Sequence, residues 1–205
     1  MLDAAHGGDD PGAKLGAQAE KDFALALAGR LRSLLVARGM DVVVTREADV
    51  DLDADHRAEI ANHAAAAACL SLHATLAGAN GGPSVHLFLS SLPATKDVGL
   101  LPWRTAQSAW IERSIALAGV LNAALNAAGI PVALGRTPLA PLDSMTCPAA
   151  AVELALPPFA DAHQASEAAN AEFVPKVADA LAAALVEWRS SESLPGRNQA
   201  GEPQP

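Results

Sequence analysis

Short apolar runs recur along this chain, separated by long amphipathic stretches. MLDAA, DVVVTR, CLSLHA, VHLFLSS and AAAVELAL read as buried strands. Between the first two, AEKDFALALAGRLRSLLVARG sets Phe23, Leu27, Leu31, Leu34 and Leu35 at helical spacing and stops at Gly39. DADHRAEIANHAAAA reads as a helix with Asp53 or Asp55 as N-cap. SAWIERSIALAGVLNAALNAAG is a long helix closed by Gly129, and IPVALGRT holds a short strand. NAEFVPKVADALAAALVEWR is the last helix, which Pro175 should start or kink near its first turn. Strands alternating with helices predict an α/β fold: a mixed, mostly parallel central sheet of about six strands, with helices on both faces. One domain is expected over 1–189, and SSESLPGRNQAGEPQP, 190–205, has the composition of a disordered tail or linker.

Composition narrows the function. The chain is 51% hydrophobic and 18% charged, which suits a sizeable core. Its net charge of -9 argues against nucleic-acid binding through phosphate neutralisation. No apolar stretch is long and unbroken enough to span a membrane. Cys69 and Cys147 are too few for a disulfide framework. They are expected as buried free thiols, unless geometry lets them pair.

Chemistry converges at strand ends. Open α/β sheets place ligand sites at the carboxyl ends of their strands. His6 follows the first strand in a glycine-rich loop, DAAHGGDDPGA, and His73 closes CLSLHA. Glu20 opens the first helix, and Glu153 lies on AAAVELAL. Two imidazoles and a carboxylate are a ligand set of hydrolytic zinc sites. Taken singly, His6 could cap a turn, His73 could be a core histidine, and Glu20 could be a solvated first-turn carboxylate. Glu153 is harder to dismiss. Val152, Leu154 and Leu156 should share one face and Glu153 the other, with Ala151 and Ala155, so its carboxylate needs a partner. Ser71 and His73, two apart on a strand, give only a weak signal for a nucleophile.

The ordered set DAAHGGDDPGA, AEKD, VVVTR, HRAEIAN, SLHA and PAAAVELAL resembles the zinc-dependent N-acetylmuramoyl-L-alanine amidases of the amidase 3 type, over roughly residues 2 to 190. The resemblance implies that His6, Glu20 and His73 hold Zn2+ and that Glu153 is the catalytic glutamate. It implies hydrolysis of the amide between N-acetylmuramoyl and L-alanine in peptidoglycan, in the periplasm or at the cell wall. Asp3, Asp9 or Asp10 is expected to orient a histidine. The chain departs from the family pattern at Ala5, where glycine is usual, at Thr75, where asparagine is usual, and at ELALPPF, which replaces E-x-G-F.

Two other readings compete: a peptidoglycan-binding or regulatory module with the same fold and little catalysis, and another zinc hydrolase such as a peptidase. A monomer is expected, and an activator protein is left open as a partner. The loop from Leu92 to Trp103 is a modest candidate for a lid. His56 and His63, on one helix, are expected to be surface residues, and Arg46 and Arg57 structural ion-pair partners. Trp103 and Trp110 are expected to pack a helix rather than stack on sugars. His86, which alternates away from Val85 and Leu87, is a minor candidate for lining the cleft.

Overall fold

The computed structural model describes residues 1–78, 81–96, 100–157 and 163–192, with side chains over 163–169 and at 192 left aside. Five strands make the central sheet: β1 (Leu2–Ala4), β4 (Cys69–Leu76), β7 (Ala149–Leu156), β5 (Ser84–Ser90) and β6 (Val132–Thr137), in that spatial order. β1, β4 and β7 run parallel. β5 runs antiparallel to β7 and parallel to β6. A small hairpin, β2 (Lys14–Leu15) and β3 (Gln18–Ala19), leads into the first helix.

Period-2 alternation assigns the two faces. Leu2, Ala4, Leu70, Leu72, Ala74, Val85, Leu87, Leu89, Val152, Leu154 and Leu156 all belong to the main core. That core is closed by α1 (Glu20–Val36), α3 (Ile111–Ala127) and α4 (His163–Glu192), through residues such as Leu31, Leu121 and Leu181, each fully buried. Ala178 and Ala182 are also fully buried on α4, which lets its backbone approach its neighbours closely. Asp3, Cys69, Ser71, His73, Ala151, Glu153, His86 and Phe88 alternate onto the opposite face. That face is partly covered by α2 (Ala54–His63) and a short 3-10 turn, Leu142–Ser144, through a smaller cluster that includes Ala58, Ala61 and Met145.

The predicted mixed α/β sheet is present, with five strands rather than six. DVVVTR contributes a single bridge, Leu2 to Val44, with Leu2 N donating to Val43 O at 2.8 Å and Thr45 N to Leu2 O at 3.0 Å. β1 is three residues long, so it offers this segment almost no edge to pair along. Beyond Val44 the chain turns Thr45 and Arg46 inward, and both are buried. Asp53 is the N-cap of α2, accepting from His56 N at 2.8 Å. The last helix starts at His163, well before Pro175, which lies inside it. The alanine- and glutamate-rich HQASEAANAE favours helix strongly enough to continue on the N-terminal side of the proline. The same helix runs on to Glu192, and the rest of the expected tail, 193–205, lies outside the described residues, as do 97–99 of the expected lid and the chain from 158 to 162 after β7.

Cys69 and Cys147 are joined in a disulfide, not held as free thiols. Cys69 opens β4 and Cys147 precedes β7, and Cys69 pairs in register with Ala149. Parallel neighbours that start together bring the two Cα atoms to 6.2 Å, inside the range a disulfide spans.

Candidate metal centre

The loop after β1 carries the first donor. His6, Gly7 and Gly8 have φ of 58°, 132° and 57°, a run that glycine adopts freely and histidine does not. Two buried arginines hold it. Arg57 donates to Ala4 O at 2.7 Å and to His6 O at 2.5 Å, and its charge is met by Asp3 Oδ1 at 2.7 Å. Arg46 donates to Ala4 O and Ala5 O, each at 2.9 Å, and to Lys21 O at 2.7 Å. Arg57 is thus the ion-pair partner expected, whereas Arg46 spends its guanidinium on backbone carbonyls. Lys21 Nζ adds a bond to Gly8 O at 2.7 Å and pairs with Asp49 at 2.7 Å.

Glu20 is the second donor, and it is 5% exposed. The β2–β3 hairpin folds back so that Ala13 N donates to Glu20 Oε2 at 2.8 Å, and β4 supplies Ala74 N to Oε1 at 3.1 Å. Burial pushes this carboxyl up. The hydrogen bonds from His6, His73, Ala13 and Ala74 outweigh it and hold Glu20 far below the ordinary carboxylate range. His6 is raised, chiefly by its contact with Glu20, against burial and with help from Asp10. The first-turn glutamate is therefore an ionised, enclosed group rather than a solvated one.

His73, the third donor, leaves β4 on the same side. Its Nδ1 lies 2.9 Å from Glu20 Oε1, and His6 Nε2 lies 3.1 Å from Glu20 Oε2. Among the described residues, His6, Glu20 and His73 are the group whose donor atoms, all within 4.8 Å of one another, could hold a metal. The far nitrogen of each ring is already engaged. Asp10 Oδ2 stands 2.7 Å from His6 Nδ1, and Ser71 Oγ stands 3.3 Å from His73 Nε2. Ser71 gives its own hydrogen to Asp3 Oδ2 at 2.6 Å, so toward His73 it accepts. Nε2 of His6 and Nδ1 of His73 are then the nitrogens turned toward Glu20: protonated, they hydrogen-bond its carboxylate, and deprotonated, they would serve as ligands of a zinc-type ion. Gly12, at φ +64°, passes so close that a Cβ there would lie 2.6 Å from His6 Cδ2 and 2.7 Å from Glu20 Oε2.

Glu153 sits on the far side of His73 from His6. The two are register partners on β4 and β7 and share a face. Its Oε1 lies 2.9 Å from Nδ1 of His86, which is its register partner on β5. A cavity of about 360 Å³ opens on the other flank of His73, lined by His6, Asp10, Asp53, Arg57 and Pro141 among others.

Asp10 and, through Ser71, Asp3 are the aspartates behind the histidines; Asp9 instead gives its backbone N–H to Asp51 at 2.7 Å. His56 and His63 stand apart from the cluster, beside Trp103 in a separate surface hollow. Trp103 is 42% exposed and bonds Asp55 through Nε1 at 3.1 Å, so it packs no helix core, contrary to expectation. Trp110 caps α3 beneath the Arg113 guanidinium, 5.3 Å from its ring centre. Ser71, two residues from His73, gives only a weak nucleophile signal in sequence, and nothing in the sequence singles out Lys21. Lys21 adjoins Glu20 in sequence, and its reach back to the His6 loop depends on the hairpin between them.

An α/β sheet bearing a two-histidine, one-carboxylate cluster beside a strand-borne glutamate describes a class of metal-site hydrolase folds. The family model for N-acetylmuramoyl-L-alanine amidase (Amidase_3) matches residues 1–187, and the chain belongs to that family. A germination-specific N-acetylmuramoyl-L-alanine amidase of Bacillus subtilis (strain 168) is 37% identical over 86 residues, a match that spans 35% of this chain and 36% of that protein. Among solved structures, the amidase Ami1 of Mycobacterium smegmatis aligns with a TM-score of 0.73 at 22% identity, over 93% of this chain and 95% of that one. AmiC2 of Nostoc punctiforme aligns at 0.68 and 24% identity, over 92% and 95%. CwlD of Clostridioides difficile, solved with the GerS lipoprotein, aligns at 0.69 and 22%, over 93% and 97%. At these identities the structural matches establish the fold.

Proposed function

We propose that this chain is a zinc-dependent amidase that hydrolyses the bond between N-acetylmuramoyl and L-alanine in peptidoglycan. The observation that carries the reading is the meeting of the His6, Glu20 and His73 donor atoms within 4.8 Å, with Glu153 next to His73 across the β4–β7 pair. Family membership supplies the substrate class.

His6, Glu20 and His73 are the residues that hold the ion. A zinc ion bound there supplies Lewis acidity to the attacking water and to the amide carbonyl. Asp10 and the Ser71–Asp3 pair keep the two rings turned toward it. Glu153 takes the proton from the attacking water and delivers it to the departing amine nitrogen of L-alanine. Cavity walls at Asp53 and Pro141 border the approach to His73. Action outside the cytoplasm, at the wall, agrees with this substrate, and the Cys69–Cys147 disulfide suits an oxidising compartment.

The test is dye-labelled peptidoglycan incubated with purified protein, with and without chelator and restored zinc. Release that chelator abolishes, zinc restores and Glu153→Ala removes supports the reading. Muropeptide analysis should then return free stem peptides and uncut glycan strands. Binding without release would point instead to a wall-binding module, and cuts within the stem would point to a peptidase.

A further inference from the structure

His73, Glu153 and His86 form one row across three neighbouring strands, since each is the register partner of the next. All three leave the face of the sheet that carries the metal centre. The first belongs to the donor group; His86 does not. Instead its Nδ1 lies 2.9 Å from Glu153 Oε1. We propose that His86 is a positioning residue for Glu153: its Nδ1–H donates to Oε1 and fixes the carboxylate, leaving Oε2 to exchange the proton. This rests on the reading of Glu153 as the proton-transfer group.

Several features set this contact apart from a casual surface pair. The side chains of His86 and Glu153 are 31% and 28% exposed, so water screens neither fully. Opposed residues on antiparallel strands hold their Cβ atoms about 5 Å apart, a span that an imidazole and a carboxylate bridge without stretching. The ring is also braced. Phe88, two residues along β5 on the same face, stands edge-on to it with centroids 6.1 Å apart. Phe88 has that space because its register partner on β6 is Gly135, where a Cβ would fall 2.9 Å from Phe88 Cδ1. Gly135 thus admits Phe88, Phe88 steadies His86, and His86 holds one oxygen of Glu153. Among the described residues the other oxygen, Oε2, has no protein partner, as a group that must accept and release a proton requires.

A glutamate side chain has three rotatable bonds, and Glu153 lies between two small neighbours, Ala151 and Ala155, that restrain it little. One directed hydrogen bond removes most of that freedom. Proton transfer needs the carboxylate within hydrogen-bond reach of the water, so misplacement should act on turnover rather than on binding.

The experiment compares the full chain with His86→Ala, His86→Asn and Glu153→Gln, loaded with zinc, on a soluble muropeptide. Asparagine places its side-chain N–H where Nδ1 stands. His86→Ala should lower kcat about ten- to a hundred-fold with KM little changed, the scale of one hydrogen bond to a charged group. Zinc content and melting temperature should not move, and His86→Asn should recover most of the loss. Full activity in His86→Ala, or no recovery in His86→Asn, overturns the proposal while Glu153→Gln, if inactive, leaves the function standing. An active Glu153→Gln overturns both. A readout independent of turnover is the tautomer of His86 by long-range proton–nitrogen NMR. Nδ1 should carry the proton in the native chain and lose it to Nε2 in Glu153→Ala; an unprotonated Nδ1 in the native chain rejects the proposal.

Discussion

Gly12 lies against both His6 and Glu20, on a backbone with φ +64° and with no room for a Cβ between their side chains. The loop that presents one donor therefore wraps the other, and the two cannot be adjusted separately.

Gly12→Ala should accordingly damage the metal centre first. The methyl group would meet His6 Cδ2 and Glu20 Oε2 at 2.6 and 2.7 Å, while the loop is asked to keep a positive φ. Zinc affinity should fall about ten- to a hundred-fold, as when the support of a ligating residue is removed. Competition titration with a chromophoric chelator reads this directly, and an unchanged affinity would contradict the close approach.

Glu153→Gln should separate chemistry from metal binding. Glutamine keeps the size and loses the proton acceptor, so kcat should drop by about 10²- to 10⁴-fold, the usual share of general acid–base catalysis. Zinc stoichiometry should match the parent, because Glu153 lies outside the donor group. Loss of zinc in this variant would make Glu153 a ligand.

Arg57→Met should destabilise the whole domain. It leaves Asp3 buried without its cation, and removing one partner of a buried pair costs about 3–5 kcal/mol. Carbonyls of Ala4 and His6 lose donors at the same time. Urea unfolding of the metal-free chain measures the loss, and a change under 1 kcal/mol would show that Arg57 is dispensable to the fold.

Replacing both Cys69 and Cys147 by serine should lower stability by about 4.5 kcal/mol on the loop-entropy estimate, given a sequence separation of 78. Because the link ties the starts of β4 and β7, which carry His73 and Glu153 nearer their other ends, activity at low temperature should survive. Paired unfolding curves with and without a reducing agent provide the check.

Much of the centre could be read in the sequence because it is written in local patterns. His6 in a glycine loop and Glu20 at a helix start are local signals, whereas His73 lies within β4, which runs on to Leu76, rather than at its end; the assignment of the three as ligands rests on the family resemblance. Alternation along AAAVELAL and VHLFLSS gives Glu153 and His86 the same faces that the strands show. Their contact was not legible. It depends on β5 entering beside β7 in the reverse direction, and strand order is set by packing of distant segments rather than by any local run. DVVVTR reads as a strand but forms only one bridge for a related reason: its β-branched residues suit a sheet, but β1 is too short to receive them. The disulfide also required register, since only the parallel start of β4 and β7 brings residues 69 and 147 together.

The arginines under the His6 loop carry a consequence for how the ion is taken up. Small zinc domains often acquire their shape only as the metal arrives, so that chelation unfolds them. Here Arg46 and Arg57 clasp the carbonyls of Ala4, Ala5 and His6 through bonds that use no side-chain atom of His6, Glu20 or His73. The chain is a finished receptacle: demetallation should silence it and leave it folded, ready to be recharged.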